Sequence, residues 1–329
     1  MADENAGDGK THISTAEELQ AIHNGDLSRN YVLDNDIDLS SIANWTPIGT
    51  ENAPFTGTFD GNGHSIKGLY INASDSNYQG LFGYVDSGTV KNLTVSGSVS
   101  GTGDYVGSVV GWNNGGTVEN CCNTGEVSGG DVSAGGVVGY NVAGIVENCY
   151  NTGKVNGDVS AGGVVGFNES GTVENCYNTG EVSDGVSAGG VVGWNNNGTV
   201  ISCYYLEGTA EKGVGDGSYT GNGAQPLSAE DFADQASFKD WDFNSTWEMS
   251  ELLGRPILRS NREGGSGTPE SPYEIPDLAT LEYYRAKINA DTEGTTYRGA
   301  SYVLTDDIDM SGKYGKDKNS WEPIGTSRA

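Results

Sequence analysis

The feature that most constrains the fold is a cysteine-bearing phrase that the chain repeats almost unchanged. It reads GTVENCCNTGEV at 116–127, GIVENCYNTGKV at 144–155 and GTVENCYNTGEV at 171–182. A glycine column recurs in steps of 27 or 28 residues, at Gly83, Gly111, Gly139, Gly166 and Gly193. A unit this short cannot bury an apolar face by itself, so its copies must stack on one another.

Each unit holds three short strand-like segments, such as GGVVGYN, TVENCYN and GEVSG, separated by Gly, Asn or Asp. No helical periodicity fits inside a unit, and stacking gives each strand a parallel neighbour at about 4.8 Å. We therefore predict an all-β fold, a right-handed parallel β-helix (β-solenoid) of 27–28-residue, three-strand coils with short helical caps. The predicted handedness follows from the crossover preference of parallel strands.

One column of the repeat is occupied by cysteine after a first leucine. Its members are Leu93, Cys121, Cys149, Cys176 and Cys203. The leucine indicates a packing position, so we expect free buried thiols rather than disulfides. A zinc site is not expected, because cysteines spaced along a line do not converge on one ion. Cys122 replaces the tyrosine of the later copies, and we expect it to be exposed or paired locally.

The residue before each member of that column is an asparagine in four copies. The four are Asn92, Asn120, Asn148 and Asn175, and Ser202 takes the place in the last copy. An asparagine that bends the chain here allows Val146 and Cys149 both to face inward. The stacked side chains are then expected to form an amide ladder.

The segments around the repeats predict how the chain is organised. ISTAEELQAIHNG resembles a helix, with Thr15 as N-cap and Glu18 completing a capping box. YVLTDDIDMS near the C-terminus parallels YVLDNDIDLS near the N-terminus. We predict a solenoid over 1–262, with a cap helix at about 14–24, regular coils at about 80–205 and a C-terminal cap at about 225–260. A linker at 263–267 and the truncated start of a second solenoid copy at 268–329 are predicted to follow.

Charge and hydropathy restrict the classes of function. The chain has 17 basic and 45 acidic residues, a net charge of −28, which disfavours binding to nucleic acid. It has no apolar run long enough to span a bilayer. The N-terminus lacks the basic and apolar parts of an export signal, so for a secreted protein we expect that signal to have been removed.

Three further columns, two acidic and one aromatic, suggest ligand sites. Stacked carboxylates are predicted for Glu119, Glu147 and Glu174, and a turn line of calcium candidates for Asp104, Asp131, Asp158 and Asp184. A solvated acidic face is the simpler interpretation of both. An aromatic column is a candidate surface for stacking on sugars, unless it only packs the wall of the solenoid, and it comprises Trp112, Tyr140, Phe167 and Trp194, with Tyr84 before them.

The GGVVGYN, GFN and GWN segments with GTVENCYNTG resemble GLUG-motif repeats of bacterial surface proteins. The stretch from LDNDIDLS to GTVKNLTVSGSV resembles the segment that precedes the repeats in those proteins. The resemblance covers about 12–260 and resumes at 268. It implies a parallel β-helix on secreted or wall-anchored proteins, including regions outside the protease domain of bacterial IgA-cleaving zinc metalloproteases. It implies surface presentation and adhesion, and no active site.

Catalysis is not expected of this chain. A zinc protease motif of the HExxH type is absent, because His12, His23 and His64 lie far apart in the sequence. We expect a non-catalytic extracellular module, an adhesin or a spacer, that binds a host or matrix glycan or protein and belongs to tandem solenoid copies. The alternative is a carbohydrate-active β-helix enzyme, a polysaccharide lyase or glycoside hydrolase, which fold analogy alone supports.

Overall fold

The computed structural model describes residues 9–260 except 75, 130 and 252, and beyond them 273–275, 278–291, 297–304, 308, 310, 314, 323 and 324. The predicted linker at 263–267 lies outside the described residues. The chain divides into two compact units, one of Met1–Met249 with Gly254–Asn261 and one of Ser250–Leu253 with Arg262–Ala329.

The first unit begins with loosely repeated coils and one helix. Helix α1 spans Ala16–Ala21 and continues as a 3-10 helix over Ile22–Asn24. Thr15 caps it by accepting a hydrogen bond from the Glu18 backbone N–H, while the Glu18 carboxylate accepts from the backbone of Ser14. The strands of this part are β1 (Thr11–Ile13), β2 (Asn30–Leu33), β3 (Ile37–Asp38), β4 (Thr58–Asp60), β5 (Ser65–Ala73), β6 (Phe82–Asp86) and β7 (Thr89–Gly101).

The regular coils follow. Their strands are β8 (Tyr105–Gly107), β9 (Val110–Asn114), β10 (Thr117–Asn123), β11 (Glu126–Gly129), β12 (Ser133–Gly135), β13 (Val138–Val142), β14 (Ile145–Glu147), β15 (Tyr150–Asn151), β16 (Val155–Gly157), β17 (Ser160–Gly162), β18 (Val165–Glu169), β19 (Thr172–Glu174), β20 (Tyr177–Asn178), β21 (Val182–Asp184), β22 (Ser187–Gly189), β23 (Val192–Ile201) and β24 (Cys203–Leu206). Each strand lies beside its equivalent in the next coil, as β10 does beside β14.

The remaining elements close the first unit and form the second. They are β25 (Val214–Thr220), β26 (Ala224–Leu227), α2 (Ala229–Phe232), a 3-10 helix (Gln235–Ser237), β27 (Trp247–Ser250), β28 (Arg255–Leu258), β29 (Tyr273–Ile275), α3 (Leu278–Ala290) and β30 (Tyr302–Leu304).

The stacked coils enclose a narrow apolar interior. Val118 pairs with Val146, Val146 with Val173 and Val173 with Val200, and all four are fully buried. These pairings are parallel, as the spacing of the repeat predicts. The predicted fold class, an all-β parallel solenoid with few helices, is confirmed.

The asparagines before the cysteine column bend the chain. Asn92, Asn120, Asn148 and Asn175 have φ angles of 54, 52, 51 and 52°, and Ser202 has 50°. Asparagine adopts this left-handed conformation more readily than most residues. The bend turns both Val146 and Cys149 into the interior, where each is fully buried.

The buried amide ladders lie elsewhere than the sequence suggested. At the bends, Asn120 Nδ2 donates a hydrogen bond to Asn92 Oδ1 at 3.0 Å. Two fully buried ladders run through other columns. The first contains Asn113, Asn141, Asn168 and Asn195, and the second Asn123, Asn151 and Asn178.

Each ladder member joins two coils and holds its own turn. Asn141 Nδ2 donates to Asn168 Oδ1 at 2.8 Å and to the Gly144 carbonyl at 3.1 Å, and Asn141 Oδ1 accepts from Asn113 Nδ2 at 2.8 Å. A buried amide with these partners avoids the desolvation penalty of an unpaired polar group.

The five cysteines are free thiols, and all of them are buried. Burial, first of all, raises the pKa of Cys149, Cys176 and Cys203 well above the usual thiol range. Cys149 Sγ lies 3.2 Å from the Glu147 carbonyl, which fixes the bend from inside. The expectation that Cys122 is exposed is wrong, because a later segment covers it and its Sγ lies 3.2 Å from Thr94 Oγ1.

The segment predicted as a C-terminal cap packs along the side of the coils. Tyr150 and Tyr177 stack with ring centroids 4.8 Å apart, and Trp247 covers both rings. Arg255 Nη1 donates to the Tyr177 hydroxyl, which donates to the Pro256 carbonyl, both at 2.7 Å. One segment thus covers the outward-facing Tyr150 and Tyr177 rings of successive coils. The periodicity of the coils could not indicate this contact.

The second unit repeats the opening of the first. Strand β29 pairs in parallel with β30, with Ile275 opposite Leu304, and α3 lies between them in sequence. In the first unit, β1 pairs with β2, with Ile13 opposite Leu33, and α1 lies between them. The two openings share an element order and a strand register.

A candidate ligand-binding surface of aromatic rings

A strip of aromatic rings runs along one outer face of the coils. Strand pairing places Tyr84 beside Trp112, Trp112 beside Tyr140, Tyr140 beside Phe167 and Phe167 beside Trp194. Within each strand the residue after the ring is fully buried, so strand alternation places the ring on the outer face. We call these five rings, with Tyr78 and Tyr105 beside them, the aromatic strip.

Most rings of the strip lie against one another. Tyr84 stacks on Trp112 with centroids 5.6 Å apart and planes 9° from parallel. Tyr140 meets Trp112 edge-on at 4.4 Å and stacks on Phe167 at 4.7 Å. Stacked and edge-to-face pairs at these distances stabilise each other, which makes the strip rigid.

Tyr78 and Tyr105 widen the strip at its N-terminal end. Tyr105 meets Trp112 edge-on at 4.6 Å and stacks on Tyr140 at 4.9 Å. Tyr78 stacks on Tyr105 at 5.7 Å and has a positive φ of 62°, which is costly for a bulky residue. Neither tyrosine belongs to a repeated aromatic column, because serines occupy this position in the later coils, from Ser133 onward, and the sequence pattern therefore did not reveal them.

Carboxylates border the strip. The Tyr140 hydroxyl donates to Glu169, and burial, followed by this hydrogen bond, raises the pKa of Tyr140. Burial also raises the pKa of Tyr78, and the negative charges of Glu51 and Asp104 raise it further. Burial likewise raises the pKa of Tyr105, and the charge of Asp104 adds to that increase. The hydroxyls therefore remain protonated donors at neutral pH.

The strip ends at Trp194. This ring is 37% exposed and lies tilted against Phe167 with centroids 6.1 Å apart. In the next coil its strand neighbour is Asp216, which supplies no ring. The residues beside them are Asn196 and Ser218, which pair with each other.

The acidic column aligns as predicted. Glu119 pairs with Glu147 and Glu147 with Glu174, and Lys91 Nζ approaches Glu119 to 3.8 Å. Burial, then repulsion from Glu119 and Glu174, raises the pKa of the half-buried Glu147. The fold therefore binds this proton more tightly than the unfolded chain does, and Glu147 costs stability as pH rises above about 4.5.

Replacing Glu147 with glutamine should stabilise the solenoid at pH 7 and leave it unchanged near pH 4. We expect the melting temperature at pH 7 to rise by about 1–3 °C, because the cost of burying the charge and its solvent-screened repulsion from Glu119 and Glu174 are removed. Circular dichroism melts at the two pH values measure the effect. Glu126→Gln, at an exposed glutamate opposite Ser98, is the control, and an equal shift in both variants would contradict the explanation.

The aspartate line proposed for calcium is not in register. Asp184 pairs with Gly157 rather than with Asp158. The reason is the residue order, which is Gly157-Asp158 in the second copy and Asp184-Gly185 in the third. Asp104 is also out of line with Asp131, because its carbonyl accepts a hydrogen bond from the backbone N–H of Ser133, two residues after Asp131. Among the residues that the structure describes, no group of three or more His, Cys, Asp or Glu side chains is placed to hold a metal ion.

The histidines lie apart and have local partners. His12 Nδ1 lies 2.6 Å from Asp34 Oδ1, His23 Nδ1 lies 2.9 Å from the Pro47 carbonyl, and His64 Nδ1 lies 3.3 Å from Asp36 Oδ1. Within the described ranges, no helix is long and apolar enough to cross a membrane.

Comparison with known proteins agrees with this architecture. The model of the GLUG motif matches residues 130–156 and 157–183, so the predicted GLUG-motif repeats are confirmed over these residues of the β-solenoid. A solved "putative immunoglobulin A1 protease" from Bacteroides ovatus superposes with a TM-score of 0.60 at 23% identity, covering 76% of this chain and 92% of that one. At this identity the likeness shows the fold alone.

Two relatives share part of the sequence. A "Putative Gly-rich membrane protein" of Evansella cellulosilytica is 38% identical over 112 residues, which is 31% of this chain and 13% of the relative. Halomucin of Haloquadratum walsbyi is 42% identical over 113 residues, 31% of this chain and 1% of that protein. The chain therefore spans a small part of the length of these relatives.

Proposed function

We propose that the chain is a non-catalytic extracellular module of a secreted or surface protein, acting as an adhesin that binds a host or matrix glycan. The single observation that carries the proposal is the aromatic strip, whose rings stand outward along successive coils. Outward rings that serve packing, such as Tyr150 and Tyr177, are fully buried beneath Trp247, whereas Trp194 in the strip is 37% exposed.

The surroundings of the strip favour a hydroxylated ligand. Tyr78, Tyr84 and Tyr105 offer phenol groups, and Glu51, Asp86 and Asp104 lie close enough to affect their pKa values. Apolar rings interleaved with hydrogen-bonding groups suit sugars, which present C–H faces and hydroxyl edges. The names of the relatives, a Gly-rich membrane protein and a halomucin, support a surface location.

The proposal is tested by exposing the whole chain to a glycan array and to immobilised mucin. We expect saturable retention that persists in high salt, because ring stacking is screened less than ion pairing. Retention that disappears with salt, or no retention of any ligand, would leave a structural spacer between tandem solenoid copies as the function. Turnover of a glycan on the array, lost on replacing a pair of carboxylates, would instead indicate the carbohydrate-active enzyme.

A further inference from the structure

We infer that the strip holds its ligand at its terminal ring, Trp194, and that this ligand is an oligosaccharide of neutral hexopyranoses. The inference rests on the proposed function and narrows it to one contact point and one class of sugar. It follows from which ring face is free, which polar groups surround it and which charges lie nearby.

A sugar stacks on the face of an aromatic ring, because the face carries the negative part of the ring quadrupole and the sugar presents C–H groups. Within the strip these faces are occupied. Tyr84 and Trp112 cover each other at 5.6 Å, and Tyr140 and Phe167 cover each other at 4.7 Å. Rings stacked coil upon coil offer solvent mainly their edges.

Trp194 is the exception. Among the rings that the structure describes, it contacts Phe167 alone, with the planes tilted by 42°. The next coil puts Asp216 beside it, so no described ring covers the side away from Phe167. It is also more exposed, at 37%, than Tyr140 at 7%.

Polar groups surround this free face. Asp216 and Ser218 are exposed on β25, and strand pairing sets Asp216 beside Trp194 and Ser218 beside the partly exposed Asn196. The Asp216 carboxylate accepts one hydrogen bond, 2.7 Å long, from the Gly217 backbone, which leaves lone pairs for sugar hydroxyls. An aromatic platform with a carboxylate and an amide at its rim matches a pyranose ring.

The charge selects neutral sugars. Asp216 lies beside Trp194, and Glu169 lies beside Asn196 in the preceding coil. Carboxylate or sulfate groups on a glycan would meet these anions and the net charge of −28. The nearby Lys212 directs its ammonium to the Gly215 carbonyl of β25 at 3.2 Å.

The test measures binding of three hexasaccharides to the whole chain by calorimetry: cellohexaose, a β-1,4-galactan hexamer and a β-1,4-glucuronan hexamer, the acidic counterpart of cellohexaose. We expect at least one neutral hexamer to bind, and Trp194→Ala to weaken it about 10-fold or more. Trp194→Phe should retain part of the affinity. Tyr70→Ala, at a ring that is 44% exposed outside the strip, should bind as the wild type does.

Each alternative outcome has one meaning. Unchanged binding by Trp194→Ala, with an unchanged melting curve, would overturn Trp194 as the contact point and leave glycan binding intact. Tighter binding of the glucuronan hexamer than of cellohexaose would overturn the neutral class. Failure of both neutral hexamers to bind would overturn the inference, whereas the proposed function would fall only if the glycan array and mucin also retained nothing.

Discussion

Asn141→Leu is expected to lower the melting temperature of the solenoid by about 10 °C, corresponding to about 3–5 kcal/mol. Leucine has nearly the same shape but no amide. Asn168 Oδ1 loses its donor and one N–H of Asn113 loses its acceptor, whereas the Gly144 carbonyl loses one of two donors and keeps the Thr172 backbone N–H. Each buried polar group left unpaired costs about 1–3 kcal/mol. Thermal melting followed by circular dichroism gives the measurement.

The control for this variant is Asn156→Leu. Asn156 lies on β16 opposite Ser128 and is partly exposed, so the same substitution there removes no buried amide. We expect its melting temperature to stay within about 2 °C of the wild type, as is usual for surface substitutions. Equal melting of the two variants would show that the amide ladder does not stabilise the coils.

Gly153→Ala should destabilise the solenoid by about 3 kcal/mol or more, since the clash is with backbone. A Cβ at this position would lie 1.7 Å from the Gly125 carbonyl oxygen and 2.6 Å from its carbon. A Cβ at Gly180 would likewise lie 1.9 Å from the Gly153 carbonyl oxygen in the preceding coil. A shift of one coil would therefore displace the next coil as well. The close approach of stacked turns, rather than the backbone torsion, demands glycine here.

Gly101→Ala is the matched control for that clash. A Cβ at Gly101 meets the Gln79 Cγ at 3.2 Å and the Ala73 carbonyl at 3.5 Å, contacts that a flexible side chain can relieve. Urea unfolding of both variants should show a large loss of midpoint for Gly153→Ala and a small change for Gly101→Ala. Similar midpoints would mean that the coils can separate without cost.

The repeating parts of the fold could be predicted because their cause is local. The step of the repeat, the inward Val146 and Cys149 and the bend at Asn148 follow from strand alternation and from the tolerance of asparagine for positive φ. The inward direction of Asn141 was missed, because an amide in the core is recognised only once its partners in the neighbouring coils are known.

The parts that could not be predicted depend on contacts distant in sequence or on irregularities of one copy. Cys122 is buried because a segment beyond the coils folds back over that flank, next to Tyr150. Asp184 leaves the aspartate line because two residues exchange order in a single copy. For the strip, the column itself was visible in the sequence, but the free face of Trp194 depends on ring angles and on the absence of a ring at Asp216.

The direction of the first amide ladder has a consequence for the length of such modules. Every Nδ2 donates toward the following coil, from Asn113 through Asn168 to Asn195, which donates to the Ser218 carbonyl at 2.6 Å. Within the described residues, Asn113 Oδ1 at the other end is buried without a hydrogen-bond partner. An inserted coil brings one donor and one acceptor, so gene duplication can lengthen the rod by whole coils, about 4.8 Å each. An insertion of part of a coil would instead leave a ladder amide out of register with its partners.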